Sequence, residues 1–228
     1  MRTLGDVVVV APDGQRSGAS SSITVTLPTR LHRVHAEEGL KMYICSGTPV
    51  DSVKLALNVL FKDRFPDLLV TGINHGSNSS ISVVYSGTMG AAIEGCVNGI
   101  PSIGFSLCNY HPDADFLQVM PFVKTIAENV LEKGLPKGVC LNVNMPEFKP
   151  EGVRICRQAR GQWTEEFVSH DDPNGRPYFW LTGSLRNNEP EASDTDEWAL
   201  ANDYISIVPI KIDMTAHEAV EQLKEWNF

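Results

Sequence analysis

Val7-Val8-Val9-Val10-Ala11 is the first apolar segment of the chain, and apolar and polar residues do not alternate along it. A strand with one solvated face alternates, whereas a strand covered on both faces is a continuous apolar run rich in β-branched residues. This segment therefore predicts a strand that lies inside a parallel sheet and is covered on both faces.

Helical patterns, rather than tight turns, separate the strand candidates that follow. Apolar residues recur at helical spacing over residues 53–60 and 116–130, and Gly134 ends the second pattern. A Gly- and Ala-rich helix over 88–96 could lie very close to a sheet, because it has few bulky side chains. The strand candidates are residues 42–45, 67–71, 102–106 and 139–143. Strands that alternate with helices predict an α/β fold with a Rossmann-like, doubly wound, mostly parallel sheet.

The sequence changes character after about Pro150. Strand candidates at 153–158 and 178–182 flank a polar loop, and a second loop at 186–196 is acidic and rich in turn-forming residues. We therefore expect a protruding, β-rich C-terminal lobe in this part of the chain.

A strand pattern returns at 204–210, and Thr215-Ala216-His217-Glu218 matches a capping box at the start of a C-terminal helix. We expect residues 1–150 to form the Rossmann-like core. Residues 151–228 are expected to form the lobe, the returning strand and the helix, and to take part in oligomer formation.

Composition excludes several classes of protein. The 228 residues carry a formal charge of -9 and no block of Lys and Arg, which argues against binding to a nucleic-acid duplex. No apolar run is long enough to cross a bilayer, so no membrane association is expected. The five cysteines are widely spaced and odd in number, which favours reduced core residues in a cytoplasmic protein over a disulfide framework.

Four loops that follow predicted strands carry the candidate site, because ligands of open parallel sheets bind beyond the carboxyl ends of the strands. Each loop taken singly is explained equally well by turn formation. Ser86-Gly87-Thr88 opens a helix and offers hydroxyls, N–H groups and the helix dipole to an anion, although a helix cap would use the same residues. The loops are residues 11–20, 46–51, 72–78 and 85–90.

The residues of these loops resemble, in the same order, successive motifs of the SurE family. Two later segments also resemble motifs of that family, so the resemblance runs from one end of the chain to the other. The motifs are Ala11-Pro12-Asp13 with Arg16-Ser17-Gly18, Gly47-Thr48-Pro49 with Asp51 and Lys54, Gly72-Ile73-Asn74-His75-Gly76, Ser86-Gly87-Thr88 with Glu94-Gly95, Asn142-Val143-Asn144-Met145-Pro146 and Tyr204-Ile205-Ser206-Ile207-Val208-Pro209.

The resemblance implies a phosphatase of nucleoside 5'- and 3'-monophosphates that uses one divalent cation per subunit, Mg²⁺ or Mn²⁺. In the family, two adjacent carboxylates of an Asn-Asp-Asp-Gly motif hold the cation, together with a serine that matches Ser17 and an asparagine that matches Asn74. Ser17 and Asn74 are therefore the expected metal ligands. With Ser86 they form the expected catalytic set.

The resemblance also places the phosphate of the substrate. Ser86, Gly87 and Thr88 match the stretch that meets the phosphate in the family, and Asn78 lies in the same loop as the asparagine ligand. We expect these four residues to bind the phosphate of a nucleoside monophosphate.

The family's carboxylate pair has no match in this chain, because no Asp-Asp precedes Val7. We expect the first strand, the carboxylates and most of the first helix of a SurE-like domain to be missing, and activity to be impaired. Asp13 and Asp51 are the nearest substitutes, but a turn and a helix start explain them better. Asp171-Asp172 is typical of a solvated turn, and a lone His75 is typical of a structural or exposed residue. The alternative function is a catalytically inactive protein that binds nucleotides or forms oligomers.

The last expectation concerns assembly. Large aromatic side chains on a small polar lobe favour contact with another subunit, although packing on the chain's own sheet would also bury them. The SurE family forms dimers, often paired into tetramers, so a homodimer or homotetramer is expected. The aromatic residues of the lobe are Phe167, Tyr178, Phe179 and Trp180, and the C-terminal helix adds Leu223 and Trp226 close to the chain end.

Overall fold

The computed structural model describes residues 1–227 and has an α/β fold. A π-helical turn, Ala56–Leu60, extends the first α-helix, and a 3-10 helix covers Ser80–Tyr85. The α-helices are α1 Pro49–Leu55, α2 Gly87–Val97, α3 Met120–Lys133, α4 Asp196–Ala201 and α5 His217–Leu223. The strands are β1 Val7–Pro12, β2 Leu31–Glu37, β3 Leu40–Cys45, β4 Leu69–His75, β5 Ser102–Leu107, β6 Val139–Met145, β7 Gly152–Ile155, β8 Gly161–Thr164, β9 Phe167–Asp171, β10 Pro177–Leu181, β11 Ser184–Asn187 and β12 Tyr204–Lys211.

The main sheet has five strands in the order β4-β5-β6-β12-β7. β4, β5 and β6 are parallel, whereas β12 runs antiparallel to β6 and parallel to β7. The carboxyl ends of β4, β5 and β6 therefore meet at one edge of this sheet, where a ligand site is expected. The predicted α/β class with mostly parallel strands is confirmed.

A smaller sheet has the order β1-β3-β2, with β1 parallel to β3 and β2 antiparallel to it. The predicted first strand is confirmed, but its predicted coverage on both faces is wrong. Val7, Val8, Val9 and Val10 are only half-buried, and β1 lies at the edge of the smaller sheet rather than inside a sheet as predicted. Strand β2 was not predicted, since most of its residues are polar and exposed.

Different helices cover the two faces of the main sheet. On one face, β5 contributes Ile103, Phe105 and Leu107 to a core that α3 completes. Pro121 lies in the first turn of α3, where its missing N–H costs nothing, and Gly134 caps the other end at a φ of 70°.

Helix α2 covers the opposite face at short range. A Cβ atom on Gly95 of the helix would lie 2.5 Å from the Ser102 oxygen, and one on Gly104 of the sheet would lie 2.4 Å from the Met89 sulfur. The expectation that small residues bring this helix close to the sheet is confirmed. The start of α2 is thereby fixed beside the carboxyl ends of the strands.

The later part of the chain supplies β7 and β12 to the main sheet, a β9-β10 hairpin and a β8-β11 ribbon. The predicted capping box at Thr215 is wrong. The Thr215 N–H instead donates to Asp213, at 2.9 Å, so this residue belongs to a turn and α5 begins at His217. The division into domains at residue 150 stays a prediction. Among residues 1–227, no helix has the length and apolarity that a membrane span requires.

Candidate functional site

The loops that follow β1 and β3 meet at the N-terminus of α2. The N–H and hydroxyl of Ser20 donate to the carbonyl oxygens of Tyr85 and Val84, at 3.0 and 2.7 Å. Arg16 donates from Nε to the Gly47 carbonyl oxygen at 3.3 Å. Backbone acceptors therefore tie the first loop both to the second loop and to the segment that precedes α2.

Gly87, the first residue of α2, is enclosed by two of these loops. A Cβ atom there would lie 3.1 Å from Pro49 Cγ, 3.4 Å from Ala19 Cβ and 3.6 Å from the Arg16 carbonyl oxygen. Ser17, the residue after Arg16, is exposed. The structure thus brings the Ser17 loop to the start of α2.

Ser86 is the N-cap of α2, and its hydroxyl oxygen accepts the N–H of Met89 at 3.0 Å. The sequence leaves open whether Ser86 caps the helix or binds an anion, and the structure shows the cap. Helix geometry leaves the N–H groups of Gly87 and Thr88 without partners inside the helix. Ser86 and Gly87 are buried and Thr88 is half-buried, so these donors lie in a sheltered place where the helix dipole favours an anion.

Asn74 lies within β4 rather than in the loop after it, which corrects the sequence-based boundary at residue 71. Strand pairing is irregular between Thr71 and Asn74, where Gly72 has a φ of 98°, and it resumes opposite Ser106. Thr71 also donates from its hydroxyl to the Thr88 carbonyl oxygen at 2.9 Å, which joins β4 to the first turn of α2.

The Asn74 side chain is fully hydrogen-bonded to neutral groups. Its Oδ1 accepts from the Ser106 hydroxyl at 2.8 Å and from Asn78 Nδ2 at 3.0 Å. Its Nδ2 donates to the carbonyl oxygens of His75 and Gly76, both at 3.0 Å. The structure therefore joins Asn74 and Asn78, two of the predicted site residues, through one amide contact.

The donors present do not fit a complete site for Mg²⁺ or Mn²⁺. Ser17 and Asn74 offer neutral oxygens, and the Asn74 oxygen already accepts two hydrogen bonds. Within residues 1–227, the structure gathers no group of three or more His, Cys, Asp or Glu side chains able to hold a metal. Neutral oxygens without a carboxylate compete poorly with the hydration shell of a hard cation.

Asp51 has the structural role that the sequence favoured. It occupies the third position of α1 in a capping box with Thr48, and it also accepts the N–H and the hydroxyl of Thr24, at 3.1 and 2.6 Å. Burial alone would raise the pKa of Asp51, but the bonds from Thr24 and Thr48 outweigh it and lower the pKa. The hydrogen bonds of this carboxylate therefore stabilise the fold, and Asp51 does not replace the family's metal-binding carboxylates.

The other acidic candidates and His75 are also accounted for by local structure. Asp13 pairs with Arg16 at 2.8 Å, and Asp172 accepts two backbone N–H groups of the turn between β9 and β10. His75 is exposed and stacks edge-to-face on Phe116, with ring centroids 5.1 Å apart.

Two acidic residues of α4, which the sequence did not single out, hold the segment after Asn78. Asp196 accepts the N–H groups of Ser80 and Ala159, at 2.8 and 2.9 Å, and Glu197 accepts the Ser79 hydroxyl. Burial raises the pKa of both carboxyls, although these hydrogen bonds oppose the shift. Their sequence context is an acidic, turn-rich stretch, which gave no sign of burial.

Three buried side chains of the sheet also belong to the site, and sequence reasoning assigned no role to any of them. Ser106, Asn142 and Asn144 are each at most 1% exposed. A detectable signal did exist, because asparagines two residues apart in a strand lie on one face. In an inner strand, that face must provide each amide with a partner.

Comparison with known proteins places the chain among close relatives. The family model described as "Survival protein SurE" matches residues 1–165. The 5'-nucleotidase SurE of Phocaeicola vulgatus is 53% identical over 228 residues, which cover 100% of this chain and 88% of that protein. The 5'-nucleotidase SurE of Flavobacterium psychrophilum is 52% identical over 231 residues, with 100% and 89% covered.

A solved structure has the same fold. The crystal structure of the SurE protein from Aquifex aeolicus matches with a TM-score of 0.83 and 34% sequence identity. The match covers 98% of this chain and 89% of that one.

Proposed function

This chain belongs to the SurE family, and we propose that it hydrolyses nucleoside 5'-monophosphates to nucleoside and phosphate at the N-terminus of α2. The enzyme class is 5'-nucleotidase, the name that the relatives about half identical over the full chain carry. The observation that carries the proposal is the meeting of two loops at Gly87, at the start of a helix that Thr71 of β4 joins to the strand of Asn74.

Groups that attract an anion bind the phosphate of the substrate. The N–H groups of Gly87 and Thr88 donate to phosphate oxygens, and the helix dipole adds to the attraction. Ser86 fixes the helix start, and Asn78 is proposed as a further contact of the phosphate, for which it would exchange one of the two hydrogen bonds that its Nδ2 donates. Because these groups contact the phosphate and not the sugar, nucleoside 3'-monophosphates are proposed as substrates too.

We propose that turnover depends on one divalent cation, Mg²⁺ or Mn²⁺, with Ser17 and Asn74 as two of its ligands. Such a cation would supply a Lewis acid that polarises the phosphoryl group and lowers the pKa of bound water, and Asn74 Oδ1 would exchange one of the two hydrogen bonds that it accepts to hold it. The described donors do not complete its site, so the 228-residue chain is expected to bind the cation weakly and to be impaired.

A side-by-side assay tests this function. Phosphate release from 5'-AMP is measured for this chain and for the Phocaeicola vulgatus relative over a range of Mn²⁺ concentrations. We expect kcat/KM at equal Mn²⁺ to be at least about a hundredfold lower for this chain, because even one of the two unmatched charged ligands contributes about 1.5–3 kcal/mol. The remaining release should rise with Mn²⁺ without saturating, and EDTA should abolish it. Equal turnover by the two proteins, or a saturable Mn²⁺ response, would contradict the weak cation site.

The neutral donor set favours a second candidate function, which is binding of nucleoside monophosphates without hydrolysis. The same assay separates the two candidates. Complete absence of Mn²⁺-stimulated release at every concentration, with 5'-AMP still bound, would establish the binding function and overturn hydrolysis.

We further propose a homodimer or homotetramer in which residues 151–228 contribute the contact surface, with residues 1–150 as the core. The β9-β10 hairpin exposes 64% of Phe167, 62% of Phe179 and 63% of Trp180, and apolar area of this kind favours an interface between subunits. Light scattering coupled to size exclusion should give a mass of two or four chains, and Phe179→Glu should lower it. A monomeric mass at micromolar concentration would contradict this proposal.

A cytoplasmic location is proposed as well. All five cysteines are free thiols, and Cys45, Cys96, Cys140 and Cys156 are buried. Burial raises the pKa of Cys140 to about 12, so this thiol stays protonated. Free thiols are typical of proteins in a reducing compartment.

A further inference from the structure

A row of polar side chains crosses the main sheet on the face that α2 and α4 cover. Strand register places Asn74 opposite Ser106, Ser106 opposite Asn144, and Asn144 opposite Ser206. Residues directly opposite one another in neighbouring strands lie on the same face. Ser106, Asn144 and Ser206 are fully buried, and burial of polar side chains costs free energy unless they are hydrogen-bonded. Ser106 and Asn144 have such partners, whereas the Ser206 hydroxyl has none among the described residues.

Two asparagines of β6 form hydrogen bonds with the backbone of Asn78. Asn144 Oδ1 accepts the Asn78 N–H at 2.7 Å, and Asn142 Nδ2 donates to the Asn78 carbonyl oxygen at 2.8 Å. Asn144 Nδ2 donates to Asn142 Oδ1 at 3.1 Å, which fixes the orientation of both amides. Both polar groups of the Asn78 main chain are thus bound by side chains of one strand.

These two hydrogen bonds to the main chain orient the Asn78 side chain. With its main chain held, Asn78 Nδ2 donates to the Ser106 hydroxyl at 2.6 Å and to Asn74 Oδ1 at 3.0 Å. Ser106 in turn donates to Asn74 Oδ1 at 2.8 Å. A continuous hydrogen-bond path therefore runs from β6 to both site amides.

We propose that Asn142 and Asn144 are positioning residues, which fix the main chain of Asn78 and thereby hold in place the side chains of Asn78 and of Asn74, the proposed cation ligand. They are 1% and 0% exposed, so they act through Asn78 and not by touching the substrate. The inference rests on the proposed function for the role of Asn78 and Asn74. The statement that Asn142 and Asn144 hold the Asn78 main chain rests only on the geometry.

A purely structural role would predict a different outcome from substitution. Val143, between the two asparagines, points to the opposite face and is fully buried in the core with Phe105 and Ile205. Val143→Ala therefore weakens the same strand without touching Asn78. It is the matched control for general loss of stability.

The test compares Asn142→Asp, Asn144→Asp and Val143→Ala by calorimetric titration with 5'-AMP at a temperature where each variant is folded. Asn142→Asp turns a donor into an acceptor that faces the Asn78 carbonyl oxygen, and we expect its Kd to rise at least about tenfold. Asn144→Asp keeps an acceptor for the Asn78 N–H, but its second oxygen faces Asn142 Oδ1, and the repulsion between these two acceptors displaces both side chains from the Asn78 main chain. Its Kd should rise about threefold. Val143→Ala should stay within about twofold, despite a lower Tm.

Hydrogen exchange at the Asn78 amide gives a readout independent of 5'-AMP. It should accelerate in both asparagine variants and stay unchanged, relative to global stability, in Val143→Ala. If Asn142→Asp does not fold, Asn144→Asp decides the matter alone. An unchanged Asn78 exchange rate, or an equal loss of affinity in Val143→Ala, would overturn the proposal. Failure of the unmodified chain to bind 5'-AMP would instead count against the proposed function. The exchange rates would still test whether Asn142 and Asn144 hold the Asn78 main chain.

Discussion

Replacement of Ser86 by aspartate is expected to weaken the binding of nucleoside monophosphates strongly and to leave the fold intact. Aspartate is as good an N-cap as serine, so the bond to the Met89 N–H should survive. Its carboxylate, however, would lie where the phosphate binds, and juxtaposed like charges cost several kcal/mol. We expect the Kd for 5'-AMP to rise roughly a hundredfold, measured by calorimetric titration, with Tm unchanged.

The control for this substitution is Ser86→Asn, which has nearly the size of aspartate and a side chain that also caps helices. Asparagine adds no charge, so its Kd should stay within about threefold of the unmodified protein. Equal affinity of Ser86→Asp and Ser86→Asn for 5'-AMP would contradict an anion site at this helix start.

Gly72→Ala is expected to cause the largest loss of stability. Gly72 has a φ of 98°, and an added Cβ would lie 2.2 Å from the Phe105 carbonyl oxygen and 3.2 Å from the Asn74 nitrogen. Both neighbours are backbone atoms in paired strands, so they cannot move aside as a side chain would. We expect the free energy of unfolding to fall by at least about 3 kcal/mol, measured by urea denaturation.

Gly14→Ala is the matched control, because no atom lies within 4 Å of a Cβ added there. Its free energy of unfolding should change by less than about 1 kcal/mol. If the two variants were equally stable, the close approach of β4 and β5 before Asn74 would be wrong. Because Gly72 precedes Asn74 by two residues, the same variant should also lose 5'-AMP affinity.

The sequence predicted the elements whose chemistry is local. A continuous apolar run marks β1, Gly134 ends α3, and small residues let α2 approach the sheet. The motifs that resemble the SurE family also indicated the loops that meet at Gly87. Each of these signals lies within a short stretch of chain, so none requires knowledge of a distant contact.

The errors arose where a distant contact overrides local preference. Gly72, Asn74 and Gly76 are typical turn residues, yet β4 continues to His75 because pairing with β5 resumes after the irregularity. Thr215 matches a capping box by spacing, but Asp213 takes its N–H.

The positioning role of Asn142 and Asn144 depends on strand register and on a loop 64 residues away in sequence. Asp196, in a stretch that reads as an acidic loop, is 1% exposed because it binds backbone N–H groups of two other segments. Such contacts are invisible in one sequence without an assembled sheet.

The central claim is that a nucleoside monophosphate binds with its phosphate at the N-terminus of α2. The most direct measurement is the amide spectrum of the isotope-labelled chain, recorded while 5'-AMP is added. We predict that the amides of Gly87, Thr88 and Asn78 shift most and that inorganic phosphate shifts the same three. The claim would be contradicted if these amides stayed unmoved at saturating 5'-AMP, or if the largest shifts fell in the groove lined by Val84 and Ile210.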